Sequence, residues 1–438
     1  SKFKRYERYK DSGVEWIGEI PEYWEFRRIS HICALGRGRV ISKIEIAENE
    51  GEYPVYSSQT ENNGVLGYIN TYDFEGDYVT WTTDGANAGT VFRRTGRFNC
   101  TNVCGTLKPK ENNLDLSYLT YALSLETKRY VRLDINPKLM NNEMAKIRVL
   151  FPPSDEQKSI ANFLDQKTAE IDGLIADKEK LIELLQEKRQ AIITEAVTKG
   201  LNPNVRMKDS GIEWIGEIPE HWNLRRIRYL ANIRNVKASD SDIDKTYVGL
   251  ENIESKTGKL LTNGDDEQQF VGETANIFKK GDVLFGKLRP YLAKCIIADF
   301  DGRCTSELLV LKTTSYILPK YLHFFMLSPK FIDVVNSSTY GAKMPRASWD
   351  FIGNLEIPLP SIKEQEDIVE YLTEFISRID DLISDINTQI QKLKEYRQSL
   401  ISEAVTGKID VREFGNMSEV IYYEQNNSPC SEFTHAAE

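Results

Sequence analysis

The side chains best placed to do chemistry in this 438-residue chain are hydrogen-bonding ones gathered in short polar loops. Ser57, Ser58, Gln59, Asn62 and Asn63 share one loop, and Thr83, Asp84 and Asn87 share another. Their amide groups suit the paired donor and acceptor on an adenine edge. Arg93, Arg94 and Arg97 form a basic turn, Arg37 and Arg39 sit in a Gly-rich one, and Lys138 follows Pro137. Farther along come Arg234, Asn235 and Lys237, then Lys287, Arg289 and Tyr291, then Lys343 and Arg346. Each group is a candidate DNA contact. Each is also what an ordinary solvated turn contains.

Bond-making chemistry is poorly provided for. There is no Gly-x4-Gly-Lys-Ser/Thr phosphate loop and no Gly-x-Gly strand-to-helix turn that would hold S-adenosylmethionine. His31, His221, His323 and His435 are far apart and have no evident paired nucleophile. Cys100 and Cys104 are a Cys-x3-Cys pair, but neither a second pair nor a nearby His completes a zinc site. The six scattered cysteines read as reduced thiols in the cytoplasm. No apolar run is long enough to span a bilayer, and the first residues do not form a signal peptide. No catalytic or metal-binding residue is expected.

The elements that must position the polar loops are used twice. From Lys10 to Ile29 and from Lys208 to Ile227, 16 of 20 positions are identical, including Trp16 and Trp24 against Trp214 and Trp222. Gly and Pro punctuation marks these stretches as packed loops. Their tryptophans are expected to pack, with base stacking the lesser alternative. Two divergent regions follow, about 30–150 and 228–358. Both have β-branched and aromatic runs between turns and one helical stretch, Leu116 to Val131 and Lys320 to Val335. They share only a skeleton: Gly76-Asp77 with Gly281-Asp282, Cys100-Thr101 with Cys304-Thr305, and Pro137-Lys138 with Pro345-Arg346.

Each region ends in a long helical run, Asp155 to Lys199 and Ile362 to Lys408, the second repeating the first 208 residues later. Glu156-Gln157 matches Glu364-Gln365, and Glu195-Ala196-Val197-Thr198 matches Glu403-Ala404-Val405-Thr406. A 3–4 spacing picks out a coiled-coil seam containing Leu164, Ile171, Leu174, Leu181 and Leu185 in one run. In the other it contains Leu372, Ile379, Leu382, Ile386 and Leu393. Ser154 and Ser361 are the expected N-caps. About 45 residues make a rod of roughly 65 Å, and equal lengths suit a ruler. The fold class is α+β (mixed α/β): two globular domains separated by two long antiparallel coiled-coil helices, with a pseudo-twofold internal repeat.

Net charge is −10, but the two helical runs and the residues from Ile409 onward carry −3, −4 and −5. The remaining chain is at +2, so overall acidity does not exclude a nucleic-acid partner.

This architecture resembles the specificity subunit of type I restriction–modification systems. The residues that carry the resemblance are Gly281-Asp282-Val283-Leu284-Phe285-Gly286-Lys287-Leu288-Arg289-Pro290, Ile357-Pro358-Leu359-Pro360 with Gln365, and the Glu-Ala-Val-Thr helix ends. The resemblance implies a non-catalytic DNA-binding subunit. Each target recognition domain would read one half of a bipartite double-stranded DNA sequence, and the helices would set the unread spacer. It implies two modification (methyltransferase) subunits as partners, which bring S-adenosylmethionine, and restriction subunits, which bring ATP and Mg. Phe151-Pro152-Pro153-Ser154 resembles the amino-methyltransferase motif only in its two prolines and reads as a helix start.

The expected domains are 1–153 and 201–360 for recognition, 154–200 and 361–408 for the helices, and 409–438 for an acidic, disordered tail with no assigned role. Disrupting the seam at Leu174 or Leu382 is expected to abolish both the ruler and the docking of the methyltransferase subunits on the helices' outer faces. Two other function classes compete. A coiled-coil tether with two protein-binding heads would show no salt-dependent affinity for DNA. A nuclease would cut DNA alone.

Overall fold

The computed structural model describes residues 3–133, 136–261, 275–339 and 343–414. Two compact units emerge, residues 1–176 with 389–438 and residues 177–388. The long helices, Ser154–Lys199 and Ile362–Val405, are each divided between them. Among the described residues no helix is long and apolar enough to cross a membrane.

In the first unit the main sheet orders its four strands Cys33–Arg37, Cys104–Pro109, Tyr78–Thr82 and Val91–Arg94, all antiparallel. Every residue of Tyr78–Thr82 is buried, as in a strand covered on both faces. The helix Leu116–Tyr130 packs on this strand and its neighbour Val91–Arg94. A second sheet runs Val65–Ile69, Glu50–Tyr56, Arg97–Cys100 and Phe74–Glu75, with its middle pair parallel. Trp81 anchors the main sheet by donating its indole N–H to the Leu139 carbonyl at 2.8 Å. Its ring lies where a Cβ on residue 105 would stand, 2.2 Å away, so only Gly105 fits.

The second unit repeats the plan. Its main sheet is Ala231–Ile233, Leu308–Thr313, Val283–Gly286 and Cys295–Ile297. Its companion is Tyr247–Val248, Gly302–Cys304 and Asn276–Phe278, again with one parallel pair. Cys100-Thr101 and Cys304-Thr305 close matching strands, as their spacing predicts. The expected single helix is two, Pro319–Leu327 and Pro329–Ser337. Pro329 has no N–H to donate and pushes Ser328 to extended backbone (ψ 137°), which breaks the helix.

The repeated opening segments seat the ends of the long helices. Trp24 and Trp222 are buried, which makes packing their role. Trp24 donates to Glu156 at 3.1 Å, and Trp222 donates to Glu364 at the same distance. Fully buried Gln157 accepts from the Asp115 amide at 2.9 Å, and Gln365 accepts from Leu318 at 2.8 Å. The duplicated Glu-Gln pair therefore couples each helix start to its own globular domain. Gly200 and Gly407 end the helices at φ 73° and 71°, against Trp222 and against Pro21 with Trp24. Left-handed backbone at a helix end is the usual place for glycine.

In the first unit, Trp24 thus touches the start of one long helix and the end of the other, so the two run antiparallel there. In the second unit, the Tyr321 hydroxyl lies 3.1 Å from the Val197 carbonyl and 3.2 Å from that of Pro358, with the same consequence. Asp172 holds Arg397 at 2.8 and 3.1 Å in the first unit, and Asp380 holds Arg189 at 2.9 Å in the second. These are duplicated positions.

The inward positions correct the expected seam. On the first helix they are Leu164, Thr168, Ile171, Ile175, Lys178, Ile182, Leu185 and Arg189. On the second they are Leu372, Phe375, Ile379, Ile383, Ile386, Ile390, Leu393 and Arg397. Leu174, Leu181 and Leu382 instead face outward, 50 %, 45 % and 50 % exposed. The repeat advances four then three residues along the first helix, and along the second from Ile379 onward, so alternate seam positions there lie one residue farther on than a three-then-four spacing puts them.

The expected tail also begins later. Ile409 and Val411 are buried, and the Asp410 amide donates to the Lys4 carbonyl at 2.9 Å. Phe414 and Phe3 both meet Phe163 edge-on, at 4.9 and 5.5 Å. Residues 415–438 of the tail lie outside the described residues.

Candidate nucleic-acid interface

In the first unit the polar loops converge because strand ends do. Arg37 pairs with Gly105 and Thr82 with Cys104 at one end of the main sheet, while Tyr56 ends beside Cys100. Cross-links join the loops that follow. Asn87 donates to the Ser58 carbonyl at 2.9 Å, Ser57 and Thr101 hydroxyls lie 3.3 Å apart, and Arg39 bridges to Thr101. A short antiparallel ribbon completes the end. Asp84 faces Lys138, Gly85 N donates to Pro137 O at 3.0 Å, and Leu139 N donates to Thr83 O at 2.9 Å.

The second unit builds the same ribbon, with Pro345-Arg346 standing for Pro137-Lys138 and the unrelated Lys287-Leu288-Arg289 for Thr83-Asp84-Gly85. Leu288 faces Arg346, Arg289 N donates to Pro345 O at 2.8 Å, and Ala347 N donates to Lys287 O at 3.0 Å. Each bond has its counterpart in the first unit.

The candidate side chains sort themselves by partner. Asn62 and Asn63 are exposed, on left-handed backbone at φ 49° and 52°. Ser57, Ser58, Gln59, Asp84 and Asn87 are half-buried at the same end. Gln59 is tied to the Val65 carbonyl. Arg37 is exposed and donates to Asn102 O at 2.8 Å. Half-buried Lys138 stands 3.9 Å from the Asp84 carboxylate. In the second unit Asn235, Lys237, Arg289, Tyr291 and Lys343 are exposed, and Lys287 is half-buried.

Several candidates are committed to the fold instead. Arg94 is 2 % exposed, with its guanidinium 3.5 Å above the Tyr56 ring and 4.3 Å from Phe92. It donates to the Asn63 carbonyl at 2.7 Å, so it supports the 57–64 loop from beneath. Burial depresses its pKa, although the ordinary value is far above neutrality. Arg234 is bound at 2.6 and 3.1 Å to buried Asp282. Thr83 is fully buried. Arg39 is held by Glu45 and Asp73 at 2.8 and 2.9 Å, and these raise its pKa, Glu45 foremost. Arg93 donates to Ser117 at 2.6 Å on the helix Leu116–Tyr130. Exposed Arg97 is bound to Glu75 at 2.9 Å. Arg346 pairs with Glu307 through two contacts, 2.8 and 3.2 Å.

The geometry adds Asn102 and Arg132. Arg132 bridges to Lys138 and reaches within 4.0 Å of Glu143. In sequence Arg132 looks like one more cation at a helix end, and only the ribbon brings it to the loops. The assembled end can donate and accept hydrogen bonds over a broad polar surface. Among the described residues, no group of His, Cys, Asp and Glu could hold a metal ion.

Comparisons with known proteins identify the relatives of this chain. The profile of the type I restriction modification DNA specificity domain matches twice, at residues 21–184 and 219–392. A Mycoplasma pneumoniae protein described as the N-terminus of a type I specificity subunit is 50 % identical over 139 residues, 32 % of this chain and 74 % of that protein. The specificity subunit of the Escherichia coli type I restriction enzyme EcoDI is 23 % identical over 411 residues, 90 % of each chain. A solved chain from work on assembly and conformational transition of a type I system shares the fold, with a TM-score of 0.64 at 13 % identity over 88 % of this chain and 98 % of that one. Two matched specificity domains, each ending in a polar face built on one shared ribbon, place this chain in the type I restriction–modification DNA specificity family.

Proposed function

We propose that each recognition domain reads one half of a bipartite DNA target and that the paired helices set the spacing between the halves. The observation that carries this reading is the duplicated ribbon. The backbone bonds are the same, and so is the Pro-Lys or Pro-Arg side, while the loop side chains opposite, 83–89 and 287–293, are unrelated. A reader that varies on a constant support is what sequence discrimination needs, because base-edge contacts specify while phosphate contacts position. Leu174 and Leu382 occupy duplicated positions and are each 50 % exposed. That supports docking of one methyltransferase subunit per repeat on the outer helix faces. S-adenosylmethionine, and ATP with Mg for restriction subunits, would then be held by the partners, and the assembly would act on DNA in the cytoplasm.

The test is to map methylated adenines in DNA from cells carrying the system, then exchange residues 30–150 for another recognition domain. One half-site should change and the other should persist. A change in both would sink independent reading. Adding one heptad to both helices should alter the spacer alone, and a fixed spacer would end the ruler.

A further inference from the structure

The ribbon loop has one conformation and two chemistries. In the first unit it reads Thr83-Asp84-Gly85-Ala86-Asn87-Ala88-Gly89, and in the second Lys287-Leu288-Arg289-Pro290-Tyr291-Leu292-Ala293. Gly85 and Arg289 stand at the same place and both have positive φ, 95° and 50°. Glycine adopts that backbone freely, and a residue with a Cβ does not. Pro290 disfavours helix-like backbone at Arg289 further. The first unit shows that glycine serves this turn. Whatever keeps arginine in the second unit is therefore a property of its side chain.

That side chain is exposed and has no ion-pair partner among the described residues. Its neighbours differ: Arg346 is neutralised by Glu307 and Arg234 by Asp282. The Arg289 backbone is pinned on both sides, its N–H by Pro345 O at 2.8 Å and its carbonyl by Leu292 N at 2.9 Å. A planar guanidinium on a fixed stem can donate two parallel hydrogen bonds. The base edge that accepts two side by side in the major groove is guanine, through O6 and N7.

We infer that Arg289 reads a guanine in the half-site of the second recognition domain. This rests on the half-site reading proposed above. Lys287 and Lys343 flank it with simple positive charge, which suits phosphate oxygens.

The test uses the full chain co-expressed with its methyltransferase subunits, with methylated sites mapped at base resolution. Wild type, Arg289→Gly and Arg289→Lys are compared, and exchange of residues 201–360 identifies the relevant half-site. Arg289→Gly suits the backbone, so an unchanged or higher melting temperature shows that it folds. It should relax one guanine position, with discrimination there falling about tenfold to a hundredfold, while the other half-site and the spacer persist. Arg289→Lys should keep part of the preference. An unchanged motif in Arg289→Gly overturns the assignment. So does a uniform loss of methylation without relaxation at one base, which marks a phosphate contact. A wild-type system with no bipartite motif would overturn the half-site reading itself, and the role of Arg289 with it.

Discussion

Arg397 with Asp172 and Arg189 with Asp380 are the same ion pair written twice, in very different surroundings. The Arg397 side chain is 34 % exposed, and that of Arg189 is 6 % exposed. A loop of the second domain makes the difference. Thr257 O accepts from Arg189 at 2.9 Å, Lys256 O accepts from Gln190 at 3.1 Å, and Lys259 brings a second cation to Asp380 at 2.7 Å. The copied frame is thus constant in residues but not in energy. An exposed pair contributes about 0–1 kcal/mol. Removing one partner of a buried pair strands a charge, at a cost of about 3–5 kcal/mol.

The sharpest way to break the equivalence of the two helices is through their seam. A carboxylate at buried Ile171 or Ile379 should cost about 4 kcal/mol or more, since it would lie inside the helical pair without a partner. The same change at exposed Leu174 or Leu382 should cost under about 1 kcal/mol. Denaturant titration decides it, and equal losses at all four sites would restore the three-then-four seam. Next comes the ion pair. Asp380→Ala should lose about 3 kcal/mol and raise amide exchange in residues 254–260. Asp172→Ala should lose less than about 1 kcal/mol. If the two losses match, burial by the 254–260 loop is not what separates the pairs.

The smallest effect concerns Glu126, on the helix Leu116–Tyr130. Burial pushes its carboxyl up from 4.5 to about 7, and Arg129 opposes that only partly. The folded state therefore keeps a proton that the unfolded chain releases, and stability falls as pH rises from about 4.5 to about 7. Glu126→Gln should gain about 1 kcal/mol at pH 8, a figure reduced for the side chain's partial exposure, and nothing at pH 4. Melting curves at both pH values are the check. No gain at pH 8 would mean that the carboxyl is charged at no cost.

What was legible in the sequence was what had been duplicated. Glu156-Gln157 and Glu364-Gln365 could be matched by identity, and both pairs turn out to fasten helix starts to their domains. The seam was half legible. Leu174 precedes Ile175 and Leu181 precedes Ile182, so either phase finds an apolar residue there. Thr168 and Arg189 occupy inward positions that hydrophobic periodicity cannot select. The interface was legible as clusters and not as individuals. Sequence shows that Arg94 and Arg234 are cations. It does not show that one stacks on the Tyr56 ring or that the other is bound to a carboxylate 48 residues away.

The clasp of Asp410 on Lys4 has a consequence for how the chain is made. The first unit needs residues 389–414 as well as 1–176, whereas the second lies wholly within 177–388. A ribosome moving along the message therefore releases all of the inner unit before the outer one has its last helix half. The domain begun first is finished last. Until then the undersides of Trp24 and Phe163 wait uncovered, so a chain truncated before residue 389 should carry a folded inner unit and an outer unit prone to aggregate.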